Sequence, residues 1–247
     1  MSLYADVVLS PREDLPGADC WLVIDILRAT TTMCAFFEAG GSRLYPSESV
    51  EEGLALREKM AGEGNKTLLM GERNALPPPG FDLGNSPLEL SPSLLASRPE
   101  AVMATTNGTR ALLKASAAGV PVYAVCARNA EATVRAALET GDRIGILCAG
   151  LHGRAALDDT ACAGILVEHL VSSGAADLMD GAQMALSVWR EGGRRLSSLL
   201  ERSVHGMRLL SLGFAADVAY AAKIDASMAV IRLYNEGRTP FLAADGE

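Results

Sequence analysis

Residues 101–118 read AVMATTNGTRALLKASAA. The apolar run Ala101–Ala104 is short, as a buried strand is, and it gives way to hydroxyl and amide residues, Gly108, and a helical pattern over Arg110–Ala118. Strand, polar turn and helix in succession form the repeating unit of an open α/β sheet. At such a junction the backbone N–H groups and the positive end of the helix dipole suit an anion, above all a phosphate. Gly108 lets the backbone approach a ligand, and Thr105, Thr106, Asn107 and Thr109 add side-chain donors. A plain helix cap at Asn107 or Thr109 accounts for the same residues without a ligand.

The same rhythm extends in both directions. Further strands are expected at Ala5–Leu9, Trp21–Ile26, Arg43–Tyr45, Thr67–Met70, Val122–Val125, Arg143–Cys148 and Met228–Leu233. Several are nearly continuous in apolar residues, the mark of strands covered on both faces. Helices are expected between them at Thr31–Ala39, Val50–Ala61 and Ala130–Leu138, with Ser49 and Glu52 spaced as a capping box. After Gly150 the chain turns mainly helical, over Thr160–Val171, Ala182–Leu200, Ser203–Leu212 and Val218–Ile224, with Gly192–Gly193 as a break. The fold class is α/β: an α/β/α sandwich on a largely parallel or mixed sheet, arranged as one compact unit or as two closely packed lobes, 1–150 and 151–247.

Composition narrows the function. A net charge of −8 argues against a nucleic-acid or anionic-membrane surface, since phosphate backbones are bound through Lys and Arg. A small phosphorylated substrate needs only a local cationic pocket or a divalent ion, which an acidic pocket favours. The five cysteines are scattered and form no C-x-x-C pair, so a reducing cytoplasm is expected and the thiols read as structural. The first residues lack the pattern of a signal peptide, and no apolar run reaches membrane-spanning length.

Four more segments carry chemistry-bearing residues at strand ends. In VIDILRATT, Asp25 closes a buried strand, where open α/β sheets place ligand groups, and Arg28 follows within reach of a phosphate. In GER, Glu72 supplies a hard oxygen and Arg73 a cation. In the proline-rich loop Arg73–Pro87, the turn FDLGNSP holds Asp82, Asn85 and Ser86. The segment CAGLHGRAALDDTACAG joins a strand end to a glycine-rich loop with His152 and Arg154 and to a helix opening on Asp158 and Asp159. Capping, turn chemistry and ion pairing explain each of these alone. His152 is the one histidine placed for a proton-donor role, whereas His169 and His205 read as structural. Asp217 and Asp225 stand eight apart, on one face if the last helix runs through both.

Taken in order, D-x-L-R-A-T-T, G-E-R, F-D-x-G-N-S-P, T-T-N-G-T and C-A-G…D-D…C-A-G resemble the 2-phosphosulfolactate phosphatase family, over most of the chain. The resemblance implies a Mg²⁺-dependent phosphatase that converts 2-phospho-3-sulfolactate into 3-sulfolactate and phosphate, an activity that in methanogens serves coenzyme M synthesis. It implies Asp25, Glu72, Asp82, Asp158 and Asp159 as candidates for the metal, with Asp25, Arg28, Glu72, Asp158 and Asp159 catalytic. Arg28, Arg73, Asn85, Ser86, Thr105, Thr106, Asn107, Gly108, Thr109 and Arg154 would bind the substrate's phosphate, carboxylate and sulfonate. A homodimer is the expected assembly. Where the family pattern has Glu-Asp, this chain has Asp158–Asp159, and the first carboxylate reaches less far. Two routes of attack stay open, a metal-activated water and an aspartyl-phosphate at Asp25. Leu27 stands where the D-x-D-x-T phosphatases carry their second aspartate. A related phosphatase for another small phospho-2-hydroxy acid, and a silent anion-binding protein, are the competing readings.

Overall fold

The apolar runs become strands, and they assemble in an order that the sequence does not announce. The structure, a computed structural model, describes residues 2–62, 66–235 and 239–245. Its strands are β1 (Tyr4–Val8), β2 (Cys20–Ile24), β3 (Arg43–Ser47), β4 (Leu68–Gly71), β5 (Glu100–Ala104), β6 (Val122–Val125), β7 (Arg143–Cys148), β8 (Asp177–Leu178), β9 (Ile231–Tyr234) and β10 (Phe241–Ala244). The sequence reading anticipates all but β8 and β10. It also starts β9 too early, because Ser227 N donates to Arg128 O and keeps the preceding residues in a turn, with Met228 exposed.

The helices are α1 (Ala29–Glu38), α2 (Val50–Gly62), α3 (Pro92–Ser97), α4 (Gly108–Ser116), α5 (Ala130–Leu138), α6 (Leu157–Ser172), α7 (Asp180–Glu191), α8 (Leu196–Arg202), α9 (Val204–Ser211) and α10 (Ala215–Ala221). Ser49 Oγ accepts from Glu52 N at 3.1 Å, while Glu52 Oε2 reaches back to Glu48 N at 3.2 Å. This is the expected capping box displaced by one residue. The break at Gly192–Gly193 is real: Gly193 and Arg194 both take positive φ, +69° and +52°, and end α7 before α8 begins. Asp225 lies beyond α10, at φ +49°, so it does not share a helix face with Asp217.

One mixed sheet of ten strands runs β4-β5-β3-β10-β9-β6-β2-β7-β1-β8, flanked by helices as an α/β/α sandwich. Strands from before and after Gly150 share it. β4, β5 and β3 form one parallel block, and β6, β2, β7, β1 and β8 form another. Between them, β10 pairs antiparallel with β3 and β9, and β9 pairs antiparallel with β6. Those pairings make the two blocks run in opposite senses. β2 is buried at every position, and Trp21, Leu22 and Ile24 anchor the core with Phe36 of α1. α4 leaves the end of β5 and packs on β2, β3 and β6, tying the first block to the second. Among the described residues no helix is long and apolar enough to cross a membrane.

Candidate active site

The carboxyl ends of β2, β4, β5 and β7 meet at one partly enclosed cleft of about 160 Å³. Asp25 and Arg28 reach it from the β2–α1 turn, Glu72 and Asn74 from beyond β4, Thr106 and Asn107 from beyond β5, and His152 from beyond β7. α9 covers the cleft with Val204, His205 and Arg208.

Asp25 is held by the turn that it begins. Its Oδ1 accepts from Ala29 N at 3.3 Å, and Thr30 Oγ1 stands 2.9 Å from Asp25 O and 3.1 Å from Asp25 N. Its Oδ2 makes no hydrogen bond among the described residues and faces Gly108. A Cβ on Gly108 would lie 2.8 Å from that oxygen and 2.6 Å from Ala29 Cβ, so glycine allows α4 to start this close. Burial raises the Asp25 pKa to about 6; nearby His205 works the other way, while Glu72 and Asp158 reinforce the rise.

Glu72 occupies part of the nest expected to take an anion. Its Oε1 accepts from Thr106 N at 2.9 Å and its Oε2 from Ala75 N at 2.8 Å. Burial alone would raise its pKa, but these bonds outweigh it and hold the carboxyl below its usual value. Thr105 and Thr109 turn inward as well. Thr105 Oγ1 accepts from Thr109 N at 3.2 Å and Thr109 Oγ1 donates to Thr105 O at 3.1 Å, which caps α4 from within. Of the five residues in this turn, only Thr106 and Asn107 present themselves to the cleft.

Arg28 is built in. Its guanidinium donates to Asp217 Oδ2 at 2.7 Å and to Ala75 O at 2.7 Å, and it lies 4.3 Å above the Phe214 ring. Ser86 Oγ donates to the other oxygen of Asp217 at 2.7 Å. Breaking a buried pair of this kind strands a charge, so Asp217 fixes where Arg28 points. Asn85 beside it lines the cleft, and its buried Oδ1 has no hydrogen-bond partner among the described residues.

The aspartate pair at the head of α6 divides its labour. Asp159 accepts from Ile26 N at 2.9 Å and Gly150 N at 2.8 Å, clamping the β2 and β7 ends together. Asp158 Oδ2 stands 3.6 Å from His205 Nδ1, and its buried Oδ1 has no hydrogen-bond partner among the described residues. Burial opposes a charge on His205, yet Asp158, and beyond it Asp25 and Glu72, hold its pKa above the usual histidine value. Among the described residues no three His, Cys, Asp or Glu side chains converge closely enough to hold an ion by themselves.

A family profile described as 2-phosphosulpholactate phosphatase matches residues 7–236. The chain belongs to that family. A Deinococcus radiodurans protein named as a probable 2-phosphosulfolactate phosphatase is 42% identical over 222 residues, 90% of this chain and 89% of its own length. A Thermus thermophilus protein of the same name is 41% identical over 231 residues, 93% of each chain. A Symbiobacterium thermophilum protein, named likewise, is 35% identical over 237 residues, 96% of this chain and 99% of its own.

The residues by which the sequence resembles this phosphatase family do not all meet. Asp25, Arg28, Glu72, Asn85, Thr106 and Asn107 line the main cleft, and Gly108 backs Asp25. Asp82 stands apart. Its oxygens take Arg98 at 2.9 and 3.2 Å and Leu69 N at 2.8 Å, and Arg57 lies 3.5 Å away. Burial is overcome there by Arg98, and the Asp82 carboxyl stays below its usual pKa. Arg73 is exposed in a turn that Leu76 closes, outside the cleft, and Ser86 is committed to Asp217. Arg154 lines a neighbouring hollow. The sequence reading passed over His205, Arg208 and Asn74, whose only local signal was His205 next to Gly206. Gly206 is required there, since a Cβ would lie 1.8 Å from Leu200 O.

Proposed function

We propose that this chain hydrolyses 2-phosphosulfolactate to sulfolactate and phosphate with Mg²⁺ as its metal. The observation that carries the reading is the meeting of Asp25, Glu72, Thr106 and Asn107, from three strand ends, in one cleft. Mg²⁺ keeps several waters and takes one or two carboxylates together with substrate phosphate oxygens, so a converged cage of protein ligands is not needed. Asp25 and Glu72 fit that demand: both are carboxylates on the cleft, and Asp25 Oδ2 is uncommitted. When bound, the ion neutralises phosphate charge and polarises the phosphorus.

The chain's own groups supply the rest. Asn107 holds phosphate oxygens, with Thr106 fixing Glu72 beside it, and Asn85 and Arg208 hold the carboxylate. Asp25 would hold the ion through Oδ2, and the proton of the attacking water leaves with the phosphate that it forms. His205, whose protonated form Asp158 favours, donates to the leaving oxygen. A phosphate label retained on the protein after acid quench would replace the water route with a covalent Asp25 intermediate. The buried free thiols accord with a cytoplasmic setting. The assembly we propose is a homodimer, which light scattering at working concentration tests.

Phosphate release from racemic 2-phospho-3-sulfolactate, with Mg²⁺ and with excess EDTA, tests the function. EDTA-sensitive turnover of one enantiomer is the expected result. An absence of turnover under both conditions overturns it.

A further inference from the structure

A two-residue turn beyond β4 touches three of the cleft's charged side chains through its main chain. Arg73 N donates to Leu76 O at 2.9 Å and Leu76 N to Arg73 O at 3.3 Å, with Asn74 and Ala75 at the tip. Ala75 N donates to Glu72 Oε2 at 2.8 Å, and Ala75 O accepts from Arg28 Nη2 at 2.7 Å. Asn74 O accepts from Arg208 Nη2 at 3.1 Å. Both tip residues line the cleft, and Ala75 is buried.

Asn74 and Ala75 both take positive φ, +58° and +72°. That pair of angles belongs to the two-residue hairpin turn that favours Asn followed by Gly. Asparagine stands at the first position here, but alanine stands at the second, where its Cβ makes the left-handed conformation unfavourable. Such strain persists where the surroundings over-determine it, and Glu72, Arg28 and Arg208 grip this one segment together. The Cβ also narrows the turn, since a glycine would explore far more backbone conformations around the same mean geometry. Glu72 and Arg28, opposite in charge, make no ion pair with one another among the described residues; each is bonded to Ala75 instead.

We propose that Ala75 is a positioning residue, whose main chain sets the spacing between the Glu72 carboxylate and the Arg28 guanidinium. This rests on the reading that the cleft takes the phosphate ester, with Glu72 beside the metal. If the two side chains met directly, each would satisfy the other and neither would be left for a ligand. A neutral peptide bonded to both takes one acceptor site of the carboxylate and one N–H of the guanidinium, and leaves the others free. Thr106 N holds Glu72 Oε1 and Asp217 holds Arg28 Nη1, so each charged group is pinned at two points. Placement of this kind matters, because a shift of about 1 Å in a cleft group can cost about a hundredfold in rate.

Ala75→Gly tests this, because glycine accepts the turn and keeps both main-chain bonds but loosens them. Relief of a merely structural strain would raise the unfolding temperature or leave it alone, and would not touch the kinetics. The positioning role predicts an unfolding temperature that does not fall, together with a kcat/KM for phosphate release lowered about tenfold. An unchanged kcat/KM, or a loss of activity that follows a lower unfolding temperature, would overturn the proposal. Should the wild-type protein show no turnover, the phosphatase reading fails by itself. Calorimetric titration with inorganic phosphate in the presence of Mg²⁺ then decides the positioning role. Phosphate binding about tenfold weaker in Ala75→Gly keeps it; equal binding, or none in either protein, removes it.

Discussion

Gly108 sits where a methyl group has no room. Ala29 Cβ and Asp25 Oδ2 both lie within 3 Å of where its Cβ would be. Gly108→Ala is expected to push α4 away from Asp25, lowering kcat/KM at least about a hundredfold while costing about 1–3 kcal/mol of stability. Steady-state kinetics beside a urea titration separate the two effects. Asp25 itself is a stability liability. The unfolded chain releases its proton near pH 4 and the folded chain at about 6, so the folded form binds more protons in between. Stability therefore falls as pH rises through that window. Asp25→Asn should abolish turnover yet stabilise the metal-free protein by about 1–3 kcal/mol at pH 7, an advantage that vanishes below about pH 4. Thermal unfolding at both pH values in EDTA checks this. Asp25 was legible because a charged residue closing an apolar run is conspicuous. His205 was not, since its meaning comes from Asp158, a contact that spacing does not encode.

At the scale of elements, α6 and α7 are pinned by one carboxylate. Glu168 accepts from Arg194 Nη2 at 2.7 Å, Trp189 Nε1 at 2.6 Å and Arg190 Nε at 3.2 Å. Arg194, then Trp189 and Arg190, bring its pKa down to about 2 against the opposing effect of burial. The unfolded chain takes up this proton first as pH falls, so the contribution is full above about pH 4.5 and disappears as pH drops toward 2. Glu168→Gln should cost about 0.5–1.5 kcal/mol at pH 7, held small by the exposure of the arginines, and little near pH 2. Urea midpoints at the two pH values decide it. The strands were legible wherever both faces are covered, because such runs are apolar throughout. β8 has too few residues for any period to show, and β10, reading FLAA, lacks the flanking alternation that would mark it. α3 is a short helix behind Pro92, set by the Ser91 cap rather than by an apolar stripe.

For the whole molecule, the seam matters most. The two parallel blocks join only through β9 and β10 among the described strands, and Leu242 is the fully buried residue that pairs with both Leu44 and Leu233. Leu242→Ala should cost about 2–5 kcal/mol, since the seam cannot close over the space left behind. Calorimetry should show a lower unfolding temperature; an unchanged one would mean that the blocks hold together by α4 instead. Sequence reading reached the α/β class and the parallel character. It did not reach the strand order, because pairing β3 with β10 is a choice between distant segments with no local signature.

That strand order also bears on how the protein is made. β9 and β10 follow all the other strands in the chain yet lie in the middle of the sheet. As the polypeptide leaves the ribosome, β3 and β6 must wait with bare hydrogen-bonding edges facing each other across an open slot. The newborn chain is therefore most vulnerable to sticking to its neighbours just before its last hairpin slides home.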